Sequence, residues 1–507
     1  MIGTSLPEWI FIRIAIFLLQ YTPLIYAVSL VNLFLVYRSQ AFSLLITQVL
    51  NTALLAELVF FLLIYRPFLR RLKQNAQHPE PLLPPERKAL FHKCMANIHS
   101  AEMYLQGWFL GAPRDEIRRE NVKEFLLWGF FERGSDGTFD DEEAISQELD
   151  EYIALLEEHL GSPLKEGRGN AQSLRLTFDE IKSVYRSLAW YIIIFFVDQA
   201  THLAMMYHGF QYHRRSRANA LRIFPPRPQE LVKGRYSPSP ELSYWHRQHS
   251  APDKLPVVFF HGIGVGLWTY VRFIANLASN KNEQGNIGVI AIEILPISFR
   301  LGAPIPTKAE FVTQITTIID HHCWQDFAVA SHSYGSVLTT HMLHTPHLQH
   351  RISSVALIDP VTITLQLPHV AYNFTRRLPK RANEWLLWYF ASTDPGVALC
   401  LGRHFFWREN ILWKDDLLVS ETDGRKMERK VVVSLAGRDL IVDTAIVLDY
   451  LGGTERNVQD PSVDGHENLK VVMHPSLDHA QLFDDAAASG SMVRMVRSNC
   501  GIESSVS

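Results

Sequence analysis

The longest apolar stretches of the chain lie side by side near its amino terminus. Residues 14–37 contain no charged side chain, and residues 41–65 contain only one, Glu57. Each run is long enough for a helix to cross a hydrocarbon core of roughly 30 Å. The pattern therefore predicts a membrane anchor of two transmembrane helices over residues 1–66, with Glu57 turned toward a partner helix. The alternative is a buried helical hairpin within a soluble protein.

The amino-terminal run is not typical of a cleaved signal peptide. It opens MIGTSLPEWIF, without an early lysine or arginine, and its apolar stretch is too long for such a signal. Basic residues on one side of a span favour the cytoplasm. The second run is followed by Arg66, Arg70, Arg71 and Lys73. We therefore expect a multi-pass membrane protein whose remaining residues lie in the cytosol.

The middle of the chain, residues 67–225, has the pattern of a helical region. Within residues 142–160, apolar side chains recur at three- and four-residue steps, which places them on one helical face. A third apolar run, residues 188–197, is followed by Asp198 and His202. As a third span it would be short, so we expect residues 188–210 to lie in the membrane interface or to pack on the next domain.

Residues 226–240 are rich in proline, which interrupts both helices and central strands, and they predict a linker. Beyond this linker, short β-rich runs alternate with helical ones. This alternation predicts an α/β domain over residues 241–500, with a mostly parallel sheet and helices on both faces. The strands are predicted at residues 257–260, 287–292, 327–331, 354–358, 431–435 and 469–473.

The third predicted strand of this domain ends in a candidate nucleophile. Ser331-His332-Ser333-Tyr334-Gly335 resembles the G-x-S-x-G turn, with serine in place of the first glycine. A serine in a tight strand-to-helix turn needs small neighbours two positions before and after it. We therefore predict Ser333 as the nucleophile, with the following helix directing its amino terminus at the site.

A glycine-rich segment, His261-Gly262-Ile263-Gly264-Val265-Gly266, follows the first predicted strand. Such a loop allows the backbone to curl so that an amide points into the site. We predict the amides of Ile263 and Tyr334 as an oxyanion hole, and we expect His261 and Gly262 to contact the substrate. A plain strand-to-helix turn is the alternative.

An acid and a base follow in the chain order expected for a serine hydrolase of this kind. Asp439 follows the strand at residues 431–435, and His479 begins the segment HAQLF, which predicts the final helix. We favour Asp439 as the orienting acid and His479 as the base. The alternatives are His474 for the base, and Asp443 or Asp359 for the acid.

These motifs resemble the α/β-hydrolase superfamily over the part of the chain from residue 241 onward. The resemblance implies acyl transfer to Ser333 and hydrolysis by water, without a metal or an organic cofactor. A serine at the turn argues against the branches that use aspartate there, the dehalogenases and epoxide hydrolases. With its apolar amino terminus, the chain is also similar to membrane-associated fungal α/β hydrolases.

About 70 residues separate two of the predicted strands, more than a crossover needs, and residues 361–425 are predicted to form a lid. The segment is rich in aromatic residues, which would suit a lipid, a long-chain ester or a polyketide-like substrate. We expect Trp388 and Phe406 to contact that substrate. The alternative is that the rings form the core of the lid itself.

Composition excludes several other functions. The formal net charge is −3 without a long basic stripe, so nucleic acid is not an expected partner. The four cysteines are far apart, which predicts reduced thiols rather than a disulfide framework. His341, His344, His347 and His350 recur every three residues, but this spacing drifts around a helix that Pro346 interrupts, so no metal site is expected there or at His321-His322-Cys323.

Three functions remain open from the sequence. The first is a membrane-bound esterase or lipase-like hydrolase whose partners are the lipid bilayer and an apolar substrate. The second is an acyltransferase or hydrolase of secondary-metabolite biosynthesis that uses the same serine. The third is a non-catalytic membrane scaffold that retains the fold.

Overall fold

A computed structural model describes residues 2–38, 40, 44–134, 142–232, 234–278, 285–422, 425–452 and 468–501. Its strands are β1 (Gln211–Arg214), β2 (Arg235–Tyr236), β3 (Tyr244–Arg247), β4 (Val257–Phe260), β5 (Val289–Ile292), β6 (Phe327–His332), β7 (Ile352–Ile358), β8 (Val419–Thr422), β9 (Arg425–Glu428), β10 (Lys430–Ala436) and β11 (Leu469–His474). Nine of them form one sheet in the order β11-β10-β7-β6-β4-β5-β3-β1-β2, and β8 pairs with β9 in a hairpin.

All six predicted strands are present, with ends that differ from the prediction by at most two residues. They form the parallel centre of the sheet, in which β4 lies between β5 and β6. Side chains of β4 pack alternately into two apolar clusters, one on each face of the sheet. Helices cover both faces, so these strands read as continuous apolar runs.

Five strands of the described residues were not predicted: β8 and β9 of the hairpin, and β1, β2 and β3 of the large sheet. β3 pairs antiparallel with both β5 and β1, and β2 extends the sheet beyond β1. β1 lies within residues 67–225, so this region contributes a strand as well as helices. The expected linker is also packed against the sheet, since Arg227 and Glu230 are buried. The domain boundaries at residues 66, 225 and 240 stay a prediction.

The α-helices fall into two groups. Those before the sheet are Leu6–Gln20, Thr22–Tyr37, Leu45–Phe60, Arg66–Leu72, Pro84–Ala96, Ala101–Trp108, Arg119–Phe131, Glu142–Leu160 and Leu188–Tyr207. Those between and after the strands are Arg217–Ala220, Val271–Ala278, Lys308–His321, Gly335–Leu343, Pro346–Gln349, His369–Thr375, Ala382–Leu387, Pro395–Arg403, Trp407–Asn410, Lys414–Leu418, Thr444–Tyr450 and Ala486–Asn499.

The first predicted span is bent, which corrects the expectation of one straight helix over residues 14–37. Helices Leu6–Gln20 and Thr22–Tyr37 meet at 72°. Pro23 near the start of the second helix explains the break, because proline lacks an amide hydrogen and its ring clashes with the preceding turn. Helix Thr22–Tyr37 then packs against Leu45–Phe60. Each has 16 residues, or about 24 Å of helix.

By length and composition, two helices in the described part of the chain could cross a membrane. One is Leu45–Leu72, in which a π-helical turn at Phe61–Tyr65 joins helices Leu45–Phe60 and Arg66–Leu72. The other is Leu188–Tyr207, and the bent pair would supply a third span if its two helices crossed together. Glu57 is buried, as predicted, and its carboxylate accepts the amide hydrogen of Leu188 at 3.0 Å. A potentially costly charge is thus satisfied at the start of a neighbouring helix.

Helix Leu188–Tyr207 has one face fixed to the sheet domain. Asp198 forms ion pairs with Arg227 and Arg300, both at 3.0 Å. On the same helix, the side chains of Ile192 and Phe196 are exposed. The helix therefore packs on the domain through a polar contact and presents apolar side chains outward.

Candidate active site

Ser333 occupies a strained turn between β6 and helix Gly335–Leu343. Its φ is +50°, in the left-handed region that a side chain rarely adopts, and its amide donates to the Ile358 carbonyl at 2.9 Å. Close approach explains the glycine at position 335, where a Cβ would lie 2.5 Å from the Phe260 oxygen. The turn therefore has the geometry that exposes a serine hydroxyl above a parallel sheet.

Ser331, the departure from the usual glycine, is accommodated by a hydrogen bond. Its side chain is buried, and its hydroxyl oxygen accepts from Thr339 Oγ1 at 2.9 Å. Thr339 belongs to the helix that follows the turn. Serine fits this position because its hydroxyl is paired across the turn rather than directed at Ser333.

The structure brings the three predicted residues together in one hydrogen-bonded chain. Ser333 Oγ lies 2.8 Å from His479 Nε2, and His479 Nδ1 lies 2.7 Å from Asp439 Oδ2. The other oxygen of Asp439 accepts the amide hydrogens of Ile441 at 2.7 Å and Val442 at 3.0 Å. The carboxylate is thus held in place, and it fixes the imidazole with Nε2 toward the serine.

The alternative acids and base form other hydrogen bonds. Asp443 accepts the amide of Ile446 at the start of helix Thr444–Tyr450. Asp359 accepts the amides of Ala436 and Ala480, each at 2.9 Å. His474 ends β11 and makes no contact with Ser333 among the contacts of the described residues.

The charges around His479 favour its protonated form. Burial of the imidazole lowers its pKa, but the carboxylates of Asp439, Asp359 and Asp478 together outweigh burial and raise the pKa to about 9. Asp478 also holds the local backbone, because its Oδ1 accepts the amides of Leu440 and His479. The surrounding carboxylates therefore stabilise the proton on the His479 imidazole.

His261 and Gly262 shape the loop, and neither lines the cavity at Ser333. His261 is fully buried, and its Nε2 accepts the Ile294 amide hydrogen at 2.9 Å. Its other nitrogen, Nδ1, therefore carries the proton and donates to the Gly262 carbonyl at 2.8 Å. A Cβ on Gly262 would lie 2.9 Å from Ser333 Cβ, so the loop passes directly against the turn. Both residues thus position the loop, and the substrate contact expected of them stays a prediction.

The two amides predicted for the oxyanion hole lie beside Ser333. Ile263 and Tyr334 both line the cavity that contains this serine. Neither amide donates to an acceptor within the part of the chain that the structure describes. Helix Gly335–Leu343 also begins at this point, and the partial positive charge of its amino terminus favours a developing oxyanion.

Two buried side chains link the glycine loop to the histidine loop, and the sequence had not indicated either of them. Tyr270 accepts the Gly262 amide at 3.2 Å and lies 2.8 Å from His332 Nδ1. The other nitrogen of His332 lies 3.8 Å from Asp359, which holds the Ala480 amide beside His479. His332 stands within the serine motif, whereas Tyr270 has no motif that could have identified it.

The cavity at Ser333 is small and apolar, with a volume of about 50 Å³. Part of its wall comes from the region before the sheet, through Trp108, Trp128 and Leu176. The lid and the strand ends provide the remaining apolar wall, which consists of Ile263, Val361, Leu365, Val370, Ala371, Phe374, Leu401, Phe405, Trp407 and Ile441. Side chains from residues 67–225 therefore cover the serine together with side chains of the segment predicted to be a lid.

Trp388 and Phe406, which we expected to contact the substrate, lie outside this cavity. Phe406 is in extended backbone, where successive side chains point to opposite sides, so Phe405 and Trp407 face the serine while Phe406 packs on His78. Trp388 packs on Trp385, beside the cluster formed with helix Leu6–Gln20.

The segment after His479 also differs from the prediction. Gln481–Phe483 is a single 3-10 turn, and the final helix begins later, at Ala486. Asp485 explains that start, because its carboxylate accepts the amides of Ala487 and Ala488. His479 therefore stands on a loop before the helix.

No protein-family model and no curated protein sequence matches the chain. Solved structures that resemble it include a bacterial membrane phospholipase A, at 12% identity over 61% of this chain and 94% of that one, with a TM-score of 0.36. Others are a lipase described as putative from Acinetobacter baumannii (11%, 59% and 93%, TM-score 0.37) and naproxen esterase from Bacillus subtilis (14%, 50% and 86%, TM-score 0.33). The resemblance to fungal proteins stays a prediction.

The sheet itself carries the assignment of the fold. One known architecture combines three features found here: this order of strands in the sheet, an antiparallel strand at the position of β3, and a serine turn after the strand at the position of β6. They place the carboxyl-terminal part of this chain in the α/β-hydrolase fold.

Proposed function

We propose that this protein is a membrane-bound serine hydrolase that cleaves an ester of an apolar substrate through an acyl-enzyme on Ser333. The observation that carries the proposal is the hydrogen-bonded chain from Ser333 through His479 to Asp439. This arrangement is the one in which a histidine activates a serine for attack on a carbonyl carbon.

The residues of the site would act in two half-reactions. Neutral His479 accepts the Ser333 proton while Oγ bonds to the carbonyl carbon, and the carbonyl oxygen becomes an oxyanion at the two free amides. Collapse of this intermediate breaks the ester bond, and His479 gives its proton to the leaving alcohol. Water then attacks the acyl-enzyme with His479 again as base, releasing the acid and restoring Ser333.

The wall of the cavity supports an apolar acyl group as the part of the substrate nearest Ser333. Its side chains are almost all aliphatic or aromatic, and such walls favour hydrocarbon over charged groups. A volume of about 50 Å³ holds only a few atoms. We therefore infer that a lipid-sized substrate enters by displacing side chains of the lid.

Membrane attachment is proposed through the helical pair Thr22–Tyr37 and Leu45–Phe60. Much of the surface of this pair is apolar and exposed, including Leu24, Phe34, Leu45 and Leu55. Exposed apolar side chains in such number are costly in water and favourable in lipid. The basic residues after the pair support a cytosolic position for the catalytic domain.

Hydrolysis of an ester series by detergent-solubilised protein tests the proposal. Wild type and His474→Ala should hydrolyse aryl esters, because His474 does not contact Ser333. Ser333→Ala and His479→Ala should each lose about 10³-fold or more in kcat, as expected when a nucleophile or its base is removed. Equal activity in wild type and Ser333→Ala would contradict the proposal and favour a non-catalytic scaffold. Hydrolysis and acyl transfer share the acyl-enzyme and differ only in the acceptor. Adding an alcohol to the same assay therefore distinguishes them, because acyl transfer yields a new ester and hydrolysis yields the acid.

A further inference from the structure

Three histidines from distant parts of the sequence lie close together near the β2 edge of the sheet, away from Ser333. His213 lies on β1, His246 lies on β3, and His322 follows helix Lys308–His321. One potential ligand atom from each lies within 4.8 Å of the other two. Because β1 and β3 pair directly and the helix covers the same face, the fold itself creates this convergence.

Two of these side chains carry buried nitrogen atoms without a partner. His213 is 3% exposed and its Nε2 has no hydrogen bond, and His246 is 8% exposed and its Nδ1 has none. An unsatisfied buried polar atom destabilises a fold by about 1–3 kcal/mol. Because both residues belong to the same cluster, one ligand bound there would compensate for such atoms.

Tyr244 supports the cluster from the side. Its hydroxyl lies 3.0 Å from His213 Nδ1 and 2.9 Å from His322 Nε2. If His213 donates from Nδ1 to this oxygen, its free Nε2 keeps a lone pair directed away from the tyrosine. A second hydrogen bond of this kind is the usual way in which proteins orient a metal-binding histidine.

We propose that His213, His246 and His322 form a binding site for one divalent transition-metal ion, with Zn²⁺ as the best fit. Imidazole nitrogen suits Zn²⁺, Cu²⁺ and Ni²⁺, and three histidines leave a fourth position for water. The set contains no carboxylate, so it does not suit Ca²⁺ or Mg²⁺.

The site is separate from the serine site. Two strands, β5 and β4, lie between β3 and β6, which corresponds to roughly 14 Å at the usual strand spacing. A bound ion would join β1 and β3, two strands near the edge of the sheet, to the end of the helix that precedes β6. It would thus stabilise the edge of the sheet, independently of the proposed ester hydrolysis.

Metal binding by the full-length protein in detergent, after removal of metal with a chelator, tests this site. Co²⁺ is the probe, because a four-coordinate site gives it visible absorption. We expect wild type to bind one Co²⁺ per chain with such absorption, Zn²⁺ to displace it, and Zn²⁺ to raise the unfolding temperature. His213→Ala and His246→Ala should lose the absorption and the thermal shift, with circular dichroism showing that each variant is folded.

His321→Ala is the matched control, since His321 is exposed, adjoins His322 and lies outside the cluster. It should bind Co²⁺ as wild type does. The proposal would be overturned if wild type showed no Co²⁺ absorption. It would also be overturned if a folded double variant, His213→Ala with His246→Ala, showed the same absorption as wild type. Should both single variants unfold, His246→Asn and His213→Asn repeat the comparison with smaller changes in volume.

Discussion

At the scale of single residues, the pKa of His479 decides when the proposed base can act. The carboxylates around this imidazole raise its pKa to about 9, and only the neutral ring can accept the Ser333 proton. We therefore expect kcat/KM to increase with pH through about 9 rather than through neutrality. Asp478→Asn removes one of the negative charges, which lowers the pKa of His479 and moves the rising limb to lower pH.

The pH profile of kcat/KM on one aryl ester checks this prediction. Asp485→Asn is the matched control, because this carboxylate caps the final helix and does not contribute to the shift of His479. Its profile should coincide with that of wild type. If kcat/KM rises over the same pH range in Asp478→Asn as in wild type, Asp478 does not act on His479.

Gly262 provides a second prediction at this scale. A methyl group there would lie 2.7 Å from His332 Nδ1 and 2.9 Å from Ser333 Cβ, so Gly262→Ala must push the loop away from the turn. The proposed amide of Ile263 moves with the loop. Because loss of one oxyanion donor costs about 10²–10³-fold in kcat, we expect a decrease of that order.

Gly264→Ala is the control for this change, because nothing lies within 4 Å of a Cβ at that position. It should retain kcat to within a few fold in the same assay. A similar loss in both variants would mean that the loop needs flexibility rather than close contact.

At the scale of elements, the lid contributes to the cavity through alternate residues of a short extended segment. Phe405 lines the cavity, whereas Phe406 faces His78. Phe405→Leu should enlarge the cavity and increase the preference for longer acyl chains by roughly tenfold, which is typical of a pocket that gains space for a methylene or more. Phe406→Leu should leave the preference unchanged.

The ratio of kcat/KM for long-chain and short-chain esters is the measurement. Since the two substitutions are the same and adjacent, a general loosening of the lid would change both ratios. A change in Phe406→Leu alone would mean that the substrate binds on the other side of this segment.

The same elements show which features the sequence could predict. The six central strands were predictable, because buried parallel strands are continuous apolar runs. β1 and β3 were not, since QYHR and YWHR mix polar and aromatic residues without such a run. Composition also does not reveal which side of an extended segment faces the cavity, where Phe405 lies and Phe406 does not. The substrate contact expected of Phe406 stays a prediction.

The candidate site also has a part that the sequence could predict and a part that it could not. Ser333, Asp439 and His479 each follow a predicted strand, and parallel strands bring their carboxyl ends to one edge, so their meeting could be predicted. The cluster of His213, His246 and His322 could not, because it depends on the pairing of β1 with β3. Likewise, no local pattern indicates that Trp108 lies over the serine.

At the scale of the whole molecule, one thiol can test the proposed membrane attachment and cytosolic position of the domain. The four cysteines are free, and only Cys323 is exposed, while Cys94, Cys400 and Cys500 are buried. We predict that a membrane-impermeant maleimide labels Cys323 in sealed vesicles whose cytosolic face points outward. Cys323→Ser should abolish the labelling. Labelling that required detergent would place the domain on the opposite side.

The most direct test of the central claim is covalent labelling of the detergent-solubilised protein by a fluorophosphonate, which reacts with activated serines. The account predicts that wild type is labelled, that Ser333→Ala and His479→Ala are not, and that His474→Ala is labelled as wild type is. Mass spectrometry of the labelled peptide should place the adduct on Ser333. Labelling that persists in folded Ser333→Ala, or its absence from folded wild type at pH 9 and above, would contradict the account.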